Sequence, residues 1–137
     1  MIRYLLDTNI VSYLVRKTYP ALVHRVRVQP GDSFAISVIT EAEVRVGIAL
    51  APAESKVSLL AAEYLTGVEI LPWDSACAEQ YAQVSARQRK LGKPLSTLDA
   101  MIAAHALAHG LVLVTNDAAF RQVKGLPLED WTKGPRR

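Results

Sequence analysis

The sequence of 137 residues contains a single cysteine, Cys77, and few aromatic residues. One cysteine cannot form an internal disulfide, which excludes a disulfide-stapled scaffold and fits a reducing compartment. Aromatic residues make up 7% of the chain, too few to indicate extensive stacking on nucleic-acid bases. Because 50% of the residues are hydrophobic and 21% are charged, we expect one domain over residues 1–132 and a frayed tail over residues 133–137.

Long apolar runs and several catalytic motifs are also missing. No run reaches the ~18 apolar residues that a membrane span needs. Arg3 and Asp7 interrupt the segment in which the apolar part of a signal peptide would lie. The sequence has no Gly-rich phosphate loop and no G-x-S-x-G motif. We therefore expect a cytoplasmic protein without membrane association, and neither P-loop nucleotide binding nor acyl transfer is indicated.

Short apolar segments rich in β-branched residues alternate with longer helical patterns. We predict strands over residues 4–6, 34–38, 68–71 and 112–115, with a weaker one over 126–128. Helices are predicted over residues 8–15, 21–28, 40–50, 53–65, 74–91 and 97–109, with a short one from Asp117. This alternation is typical of an α/β fold with a mostly parallel sheet that helices cover on both faces.

Four acidic residues follow the predicted strands or open the next helix. Asp7 follows the first strand, Glu43 follows "SFAISV", Asp99 opens "STLDAMIAAHALAH", and Asp117 follows "LVLVT". Ligands of open parallel sheets bind beyond the carboxyl ends of the strands, so these acids are predicted to share one edge. Neighbouring carboxylates raise one another's pKa unless a cation neutralises them, and no lysine or arginine adjoins Asp7, Asp99 or Asp117 in sequence.

A hard divalent cation would neutralise such an edge. Mg²⁺ prefers a few carboxylate oxygens together with waters and substrate phosphate. Four neighbouring polar residues are predicted to support the carboxylates or the metal waters: Thr8, Asn9, Thr115 and Asn116. Phosphodiester hydrolysis is the chemistry that such a site performs.

Each acid taken alone also fits a simpler role in capping a helix. Two of the four match capping boxes, with Thr40 and Ser96 as the N-cap residues. The other two could be N-caps that accept a backbone N–H. The metal hypothesis therefore depends on all four acids meeting at one edge.

The histidines and the basic residues each allow two interpretations. His105 and His109 are spaced i, i+4 in "HALAH", like half of a zinc site, but no glutamate follows His105 and the metalloprotease pattern is absent. We therefore do not expect zinc. The segment "ARQRKLGKP" concentrates four basic residues, Arg87, Arg89, Lys90 and Lys93. They either complete a helix C-terminus or contact the phosphates of a polyanion such as a nucleic acid.

Four ordered motifs resemble the PIN-domain family and, within it, the VapC toxins of bacterial toxin–antitoxin operons. The motifs are "YLLDTNIVSYLV", "AISVITEAEVRVGI" and "LSTLDAMIAAHALAHGLVLVTND", followed by the ending "GLPLEDW". The resemblance implies a three-layer α/β/α sandwich and a ribonuclease that depends on Mg²⁺ or Mn²⁺. It also implies that the catalytic and metal-binding residues are Asp7, Glu43, Asp99 and Asp117.

The resemblance further implies partners and targets. VapC toxins are commonly homodimers, and a cognate VapB-type antitoxin covers the acidic site with its C-terminal segment, often with an arginine or lysine. Their targets are structured RNAs such as tRNA or a ribosomal RNA loop. Two alternatives are a structure-specific nuclease of nucleic-acid processing with the same site, and a non-catalytic RNA-binding scaffold. The presence of all four acids argues against the scaffold.

Overall fold

The computed structural model describes residues 1–134, in which five strands and six α-helices alternate. The strands are β1 (Tyr4–Leu6), β2 (Phe34–Ser37), β3 (Ile70–Leu71), β4 (Val112–Val114) and β5 (Leu128–Glu129). The helices are α1 (Thr8–Arg16), α2 (Pro20–Val28), α3 (Val38–Leu50), α4 (Lys56–Gly67), α5 (Ser75–Lys90) and α6 (Thr97–His109), and a 3₁₀ helix covers Ala118–Gln122. Residues 135–137 of the predicted tail lie outside the described residues.

The strands form one sheet in the order β3-β2-β1-β4-β5, and every neighbouring pair is parallel. The first strand of the chain is therefore the central one, and Leu5 pairs with Ala35 on one side and Leu113 on the other. Since all strands run the same way, their carboxyl ends lie at one edge of the sheet. The predicted parallel α/β sheet is confirmed.

Side chains of β1 alternate between two cores, one on each face of the sheet. Leu5 packs with Ile102 of α6 and Val84 of α5. Tyr4 and Leu6 pack on the opposite face, in a cluster that also contains three side chains of α1, α2 and α4: Ile10, Leu22 and Leu65. Successive residues of a strand point to opposite faces, and here both faces are buried, which gives the three-layer sandwich.

Capping residues decide where the helices begin, and they explain where the predicted bounds differ from the structure. Ser37 ends β2 and caps α3, its hydroxyl accepting the N–H of Ile39 at 3.1 Å. Helix α3 therefore begins at Val38, which was predicted as strand, and Thr40 lies buried inside the helix. The prediction that Thr40 and Glu43 form a capping box is wrong. Likewise α4 begins at Lys56 rather than at residue 53, because Ser55 is its N-cap.

Helix α6 matches its predicted bounds because both of its ends are specified locally. The Ser96 hydroxyl accepts the N–H of Asp99, and Gly110 ends the helix with a φ of 64°, a left-handed conformation that glycine adopts without steric cost. Within residues 1–134, no helix is long and apolar enough to cross a membrane.

Candidate active site

Asp7 is a buried carboxylate at the carboxyl end of the central strand, with 3% of its surface exposed. It caps α1, because Oδ1 accepts the N–H of Ile10 at 2.8 Å, and Oδ2 accepts a hydrogen bond from the Thr115 hydroxyl. Burial nevertheless raises the pKa of Asp7 to about 6, and the charges of Asp99 and Asp117 add to this rise. The helix-cap interpretation is thus correct for Asp7, but a cap alone does not explain why two further acids face it.

Thr115 connects Asp7 to Asp117. Thr115 directly follows β4. Its hydroxyl donates a hydrogen bond to Asp7 and accepts one from the N–H of Asp117 at 3.0 Å. Asp117 caps the 3₁₀ helix, since its Oδ1 accepts the N–H of Ala119 at 2.9 Å. The other carboxylate oxygen of Asp117 makes no hydrogen bond within residues 1–134, so it remains able to bind a cation or a water.

Asp99 lies in the first turn of α6 and is partly buried. Burial raises its pKa, and the charge of Asp117 raises it further, while its contact with Ser96 opposes the rise. In the described residues only one half of the predicted capping box forms: the Ser96 hydroxyl accepts the Asp99 N–H at 3.2 Å, and no hydrogen bond runs from the Ser96 N–H to the Asp99 carboxylate. The Asp99 side chain is therefore not consumed by capping.

Glu43 reaches the site from the second turn of α3 rather than from the predicted first turn. Its Oε1 accepts a hydrogen bond from the Thr8 hydroxyl at 2.7 Å, and that hydroxyl also lies 3.2 Å from the hydroxyl of the fully buried Thr40. Thr8 adjoins Asp7, so these contacts join Glu43 to the start of α1. The sequence analysis assigned Thr40 to a helix end and therefore missed its contact with the hydroxyl of Thr8.

Three of the four acids lie near one another, and the fourth, Glu43, is connected to them by a hydrogen bond. Asp7, Asp99 and Asp117 lie close enough for their charges to raise pKa values, and Glu43 is tied to them through Thr8. Within residues 1–134, none of the four forms an ion pair, and no three of them bring carboxylate oxygens within 4.8 Å of one another. Oxygen ligands that are spaced apart and lack a counter-ion fit a hard divalent cation that keeps several waters.

Two of the predicted supporting residues contact the acids and two do not. Thr8 and Thr115 hydrogen-bond to Glu43 and Asp7, respectively. Asn9 is exposed, and Asn116 lines a cavity of about 190 Å³ beside Asp117. Among the described residues neither asparagine side chain makes a hydrogen bond, so their supporting role stays a prediction.

An apolar groove of about 500 Å³ opens beside Thr8 and Glu43. It runs between α1, α3 and α4, and its apolar lining includes Val11, Val15, Val44, Ile48 and Val57. The groove therefore joins the acidic edge to a surface that suits an apolar segment of another chain.

The basic segment completes the C-terminal end of α5, in agreement with the first of its two interpretations. The N–H of Gly92, whose φ is 68°, bonds to the carbonyl of Arg89 at 3.1 Å, and the Lys93 N–H bonds to the carbonyl of Gln88 at 2.9 Å. This pair of hydrogen bonds is a Schellman motif that ends α5. All four basic side chains are exposed, at the end of α5 that leads into the first turn of α6. Their contact with RNA stays a prediction.

The histidines of α6 lie beside the single cysteine. Cys77 is fully buried, as expected of a core residue, and it offers a ligand atom within 4.8 Å of ligand atoms of His105 and His109. Burial lowers the pKa of the fully buried His105 to about 4, with a smaller contribution from His109. The sequence analysis saw the i, i+4 histidine pair but did not connect it with Cys77, which lies on another helix.

Comparisons with known proteins agree with this architecture. A PIN domain model matches residues 4–126. The chain is 34% identical to a ribonuclease VapC1 of Haemophilus influenzae over 95% of its length and 98% of the relative's, and 29% identical to a tRNA(fMet)-specific endonuclease VapC of Shigella flexneri over 96% and 100%.

Among solved structures, the DNA-bound VapBC of Salmonella typhimurium superposes with a TM-score of 0.88 at 29% identity, covering 96% of this chain and 99% of the other. Such structures of relatives are toxin–antitoxin complexes, some of them bound to DNA. The chain belongs to the PIN-domain family and, within it, to the VapC-type ribonuclease toxins of VapBC toxin–antitoxin systems.

Proposed function

We propose that this ribonuclease is an endonuclease that requires Mg²⁺, or Mn²⁺ in its place, and that its active site consists of Asp7, Glu43, Asp99 and Asp117. The observation that carries the proposal is the buried Asp7 carboxylate, which faces Asp99 and Asp117 without an ion-pair partner in the described part of the chain. A bound cation would neutralise this crowded charge, which otherwise raises the pKa values of the carboxylates. PIN-domain nucleases are generally metal-dependent, and the oxygen-only ligand set favours Mg²⁺ or Mn²⁺ over zinc.

Each residue has a separate role in this proposal. Asp7 is the central ligand, and the Thr115 hydroxyl and the Ile10 N–H fix its orientation. Asp99 and Asp117 approach from α6 and from the loop after β4, while a hydrogen bond from Thr8 orients Glu43. When bound, a divalent cation supplies the positive charge that activates a water and offsets the charge developing on the phosphate.

The substrate class in this proposal is structured RNA, either a tRNA or a ribosomal RNA loop. The Shigella flexneri relative is named as specific for tRNA(fMet), and the exposed Arg87, Arg89, Lys90 and Lys93 adjoin the helix that carries Asp99. Basic side chains in that position can hold the phosphate backbone while the acids meet the scissile bond.

The proposed partner is a cognate VapB-type antitoxin. The apolar groove beside Thr8 and Glu43 is suited to an apolar helix or extended segment, and its acidic end is suited to an arginine or lysine. An antitoxin segment in the groove would thereby block RNA from the acids. We also propose that the toxin acts in the cytoplasm and that it is a homodimer. Light scattering of the isolated toxin tests the homodimer directly.

The decisive experiment is cleavage of a purified tRNA pool and of a matched DNA by the antitoxin-free toxin. We expect RNA cleavage with Mg²⁺ or Mn²⁺, no cleavage in excess EDTA, and products with a 5′-phosphate and a 3′-hydroxyl, because the proposed nucleophile is water and not the 2′-hydroxyl, and the P–O3′ bond breaks as the 3′ oxygen leaves. Asp7→Asn is the inactive control. Preferred DNA cleavage would support the alternative of a nucleic-acid-processing nuclease, and RNA binding without cleavage would support the scaffold.

A further inference from the structure

A second group of potential metal ligands lies away from the four acids, between α5 and α6. Cys77 is in the first turn of α5, and His105 and His109 are one turn apart on α6. One ligand atom from each residue lies within 4.8 Å of the other two. Among residues 1–134 this is the one group of three or more such side chains that meets this distance, and its ligand set differs in kind from the oxygens of the active site.

The hydrogen bonds around the two histidines leave one nitrogen of each ring free to bind. His105 is fully buried, and its Nδ1 lies 2.8 Å from the Ser37 hydroxyl, whereas its Nε2 is buried without a hydrogen-bond partner in the described residues. His109 Nε2 lies 3.0 Å from Asp74 Oδ2, which leaves its Nδ1. Metal-binding histidines typically have one ring nitrogen held in this way by a carboxylate or hydroxyl group.

A buried nitrogen without a partner is the observation that packing alone does not explain. Leaving a buried polar atom without a hydrogen bond is energetically unfavourable, and native structures contain few such atoms. The protein could have filled this position between α5 and α6 with an apolar side chain. Instead a thiol and a second imidazole stand beside it, and both are ligands of soft or borderline cations.

We propose that Cys77, His105 and His109 form a second cation site, selective for Zn²⁺, which braces α5 against α6. Cys77 binds as the thiolate, and its proton passes to the solvent. His105 binds through Nε2 and His109 through Nδ1, with Asp74 orienting the His109 ring. The side chains of His109 and Asp74 are 39% and 45% exposed, so a water can fill the fourth position from outside.

The distances are compatible with a site that closes when the cation binds. Zn–S bonds of about 2.3 Å and Zn–N bonds of about 2.0–2.1 Å in a tetrahedron bring the ligand atoms roughly 3.3–3.6 Å apart. One nitrogen of each ring and the Cys77 sulfur start within 4.8 Å of one another, so small rotations of the three side chains are the change that the proposed site requires. The site does not depend on the identity of the RNA or on the proposed catalytic metal.

The test uses the full-length toxin, stripped of metal and titrated with Zn²⁺ by calorimetry and with Co²⁺ by absorption spectroscopy. We expect one Zn²⁺ per chain, a sulfur-to-cobalt charge-transfer band, and a higher melting temperature with Zn²⁺. Asp7→Asn keeps all three properties, because it alters only the acidic edge. His109→Gln weakens Zn²⁺ binding at least about tenfold, whereas His24→Gln, at an exposed histidine of α2, leaves it unchanged.

Two results overturn the proposal. The first concerns the place where Zn²⁺ binds. If His109→Gln binds Zn²⁺ as tightly as the wild type, or if Asp7→Asn abolishes the binding, the ion lies elsewhere. The other is a cobalt complex without a thiolate band, or one whose band survives in Cys77→Ala. If the buried Cys77→Ala variant does not fold, His109→Gln together with the wild-type cobalt spectrum decides the matter, because His109 is exposed at the surface.

Discussion

Helix α6 carries residues of two proposed ligand groups that differ in charge and in the kind of ligand atom. Asp99, in its first turn, belongs to a set of oxygen ligands that carries excess negative charge, in which Asp7 is buried and the other acids are partly buried. His105 and His109, in its second half, belong to a nitrogen–sulfur set in which Cys77 and His105 are buried and His109 reaches the surface. The first set repels itself without a cation, whereas the second is stable without one apart from a single unsatisfied nitrogen.

Under the two proposals, one small domain keeps two cation sites chemically separate. Hard cations prefer carboxylate oxygens, and borderline cations prefer imidazole and thiolate. Loss of the cation therefore has different consequences at the two places. At the acidic edge it leaves charge repulsion and loss of catalysis, while between α5 and α6 it leaves a packed but incompletely satisfied core.

Asp7→Asn should have the strongest effect of the substitutions on RNA cleavage. It alters the acidic group and leaves the group between α5 and α6 unchanged. We expect RNA cleavage to fall at least ~100-fold, since a metal ligand is worth no less than its supporting partners. The metal-free protein should remain as stable as the wild type or become more stable, because asparagine also caps helices and removes one repelling charge. Cleavage assays and thermal melting with and without Mg²⁺ measure both outcomes.

The same melting curves show whether Asp7 has only a structural role. If Asp7 were just a cap, metal-free Asp7→Asn would lose stability and Mg²⁺ would stabilise it as much as it stabilises the wild type. We expect the reverse, with Mg²⁺ raising the melting temperature of the wild type by mass action and of the variant much less.

The second effect concerns pH and is confined to the acidic edge. The pKa of Asp7 is about 6 in the folded protein against an ordinary value of 3.8, so the folded state binds more protons between these values. The contribution of Asp7 to the unfolding free energy of the metal-free protein should therefore be greatest below pH 4. It should fall by roughly 3 kcal/mol as the pH rises above 6. Urea unfolding at several pH values in EDTA measures the slope.

Asp7→Asn provides the matched control for that slope. The asparagine does not titrate, so the difference in unfolding free energy between variant and wild type should grow in favour of the variant as the pH rises through this window. A difference that stays constant with pH would show that Asp7 has no raised pKa.

The third effect concerns the basic segment at the end of α5. Neutralising Arg87, Arg89, Lys90 and Lys93 together should weaken RNA binding. The slope of log affinity against log salt should fall by about one unit for each RNA phosphate that the variant no longer neutralises. Neutralising four basic residues that are exposed elsewhere, Lys17, Arg27, Lys56 and Lys124, is the control for net charge. If the four-residue variant keeps the wild-type slope, the segment serves only the helix end.

The mildest effect is expected at the helix end itself. Gly92→Ala places a side chain at a φ of 68°, which should cost about 1–2 kcal/mol in the free energy of unfolding. Gly67→Ala is the control, because Gly67 is the last residue of α4 and has no positive φ. There alanine should be neutral or stabilising by up to ~1 kcal/mol. Chemical denaturation of both variants compares the two glycines.

The sequence predicted most of the fold where local signals were sufficient. Asp7 ends the apolar run of β1 and caps the following helix, and Ser96 and Gly110 bracket α6, so these bounds matched. Val38 was misassigned because a β-branched residue after an apolar run favours strand, whereas the Ser37 cap had already begun α3. The four acids could be named because parallel topology sends all strand ends to one edge.

The group between α5 and α6 could not be found in the same way. His105 and His109 share a helix face and showed up as a pattern, but Cys77 joins them only through the packing of two helices. Which face of α5 turns toward α6 depends on the whole core. The Thr8–Glu43 contact is similar, since it depends on where α3 begins and not on the spacing of the two residues.

The central position of β1 has a consequence for the order in which the chain folds during synthesis. Tyr4–Leu6 pairs with β2 and with β4, and the hydrogen bond from Thr115 to Asp7 spans 108 residues. At about 5–20 residues per second, the ribosome needs roughly 5–20 s after making Asp7 before Thr115 exists. Until then Asp7 lacks its partner and Asp99 lacks strand β4 beside it, so we expect the proposed nuclease centre to assemble only after Thr115 has been made.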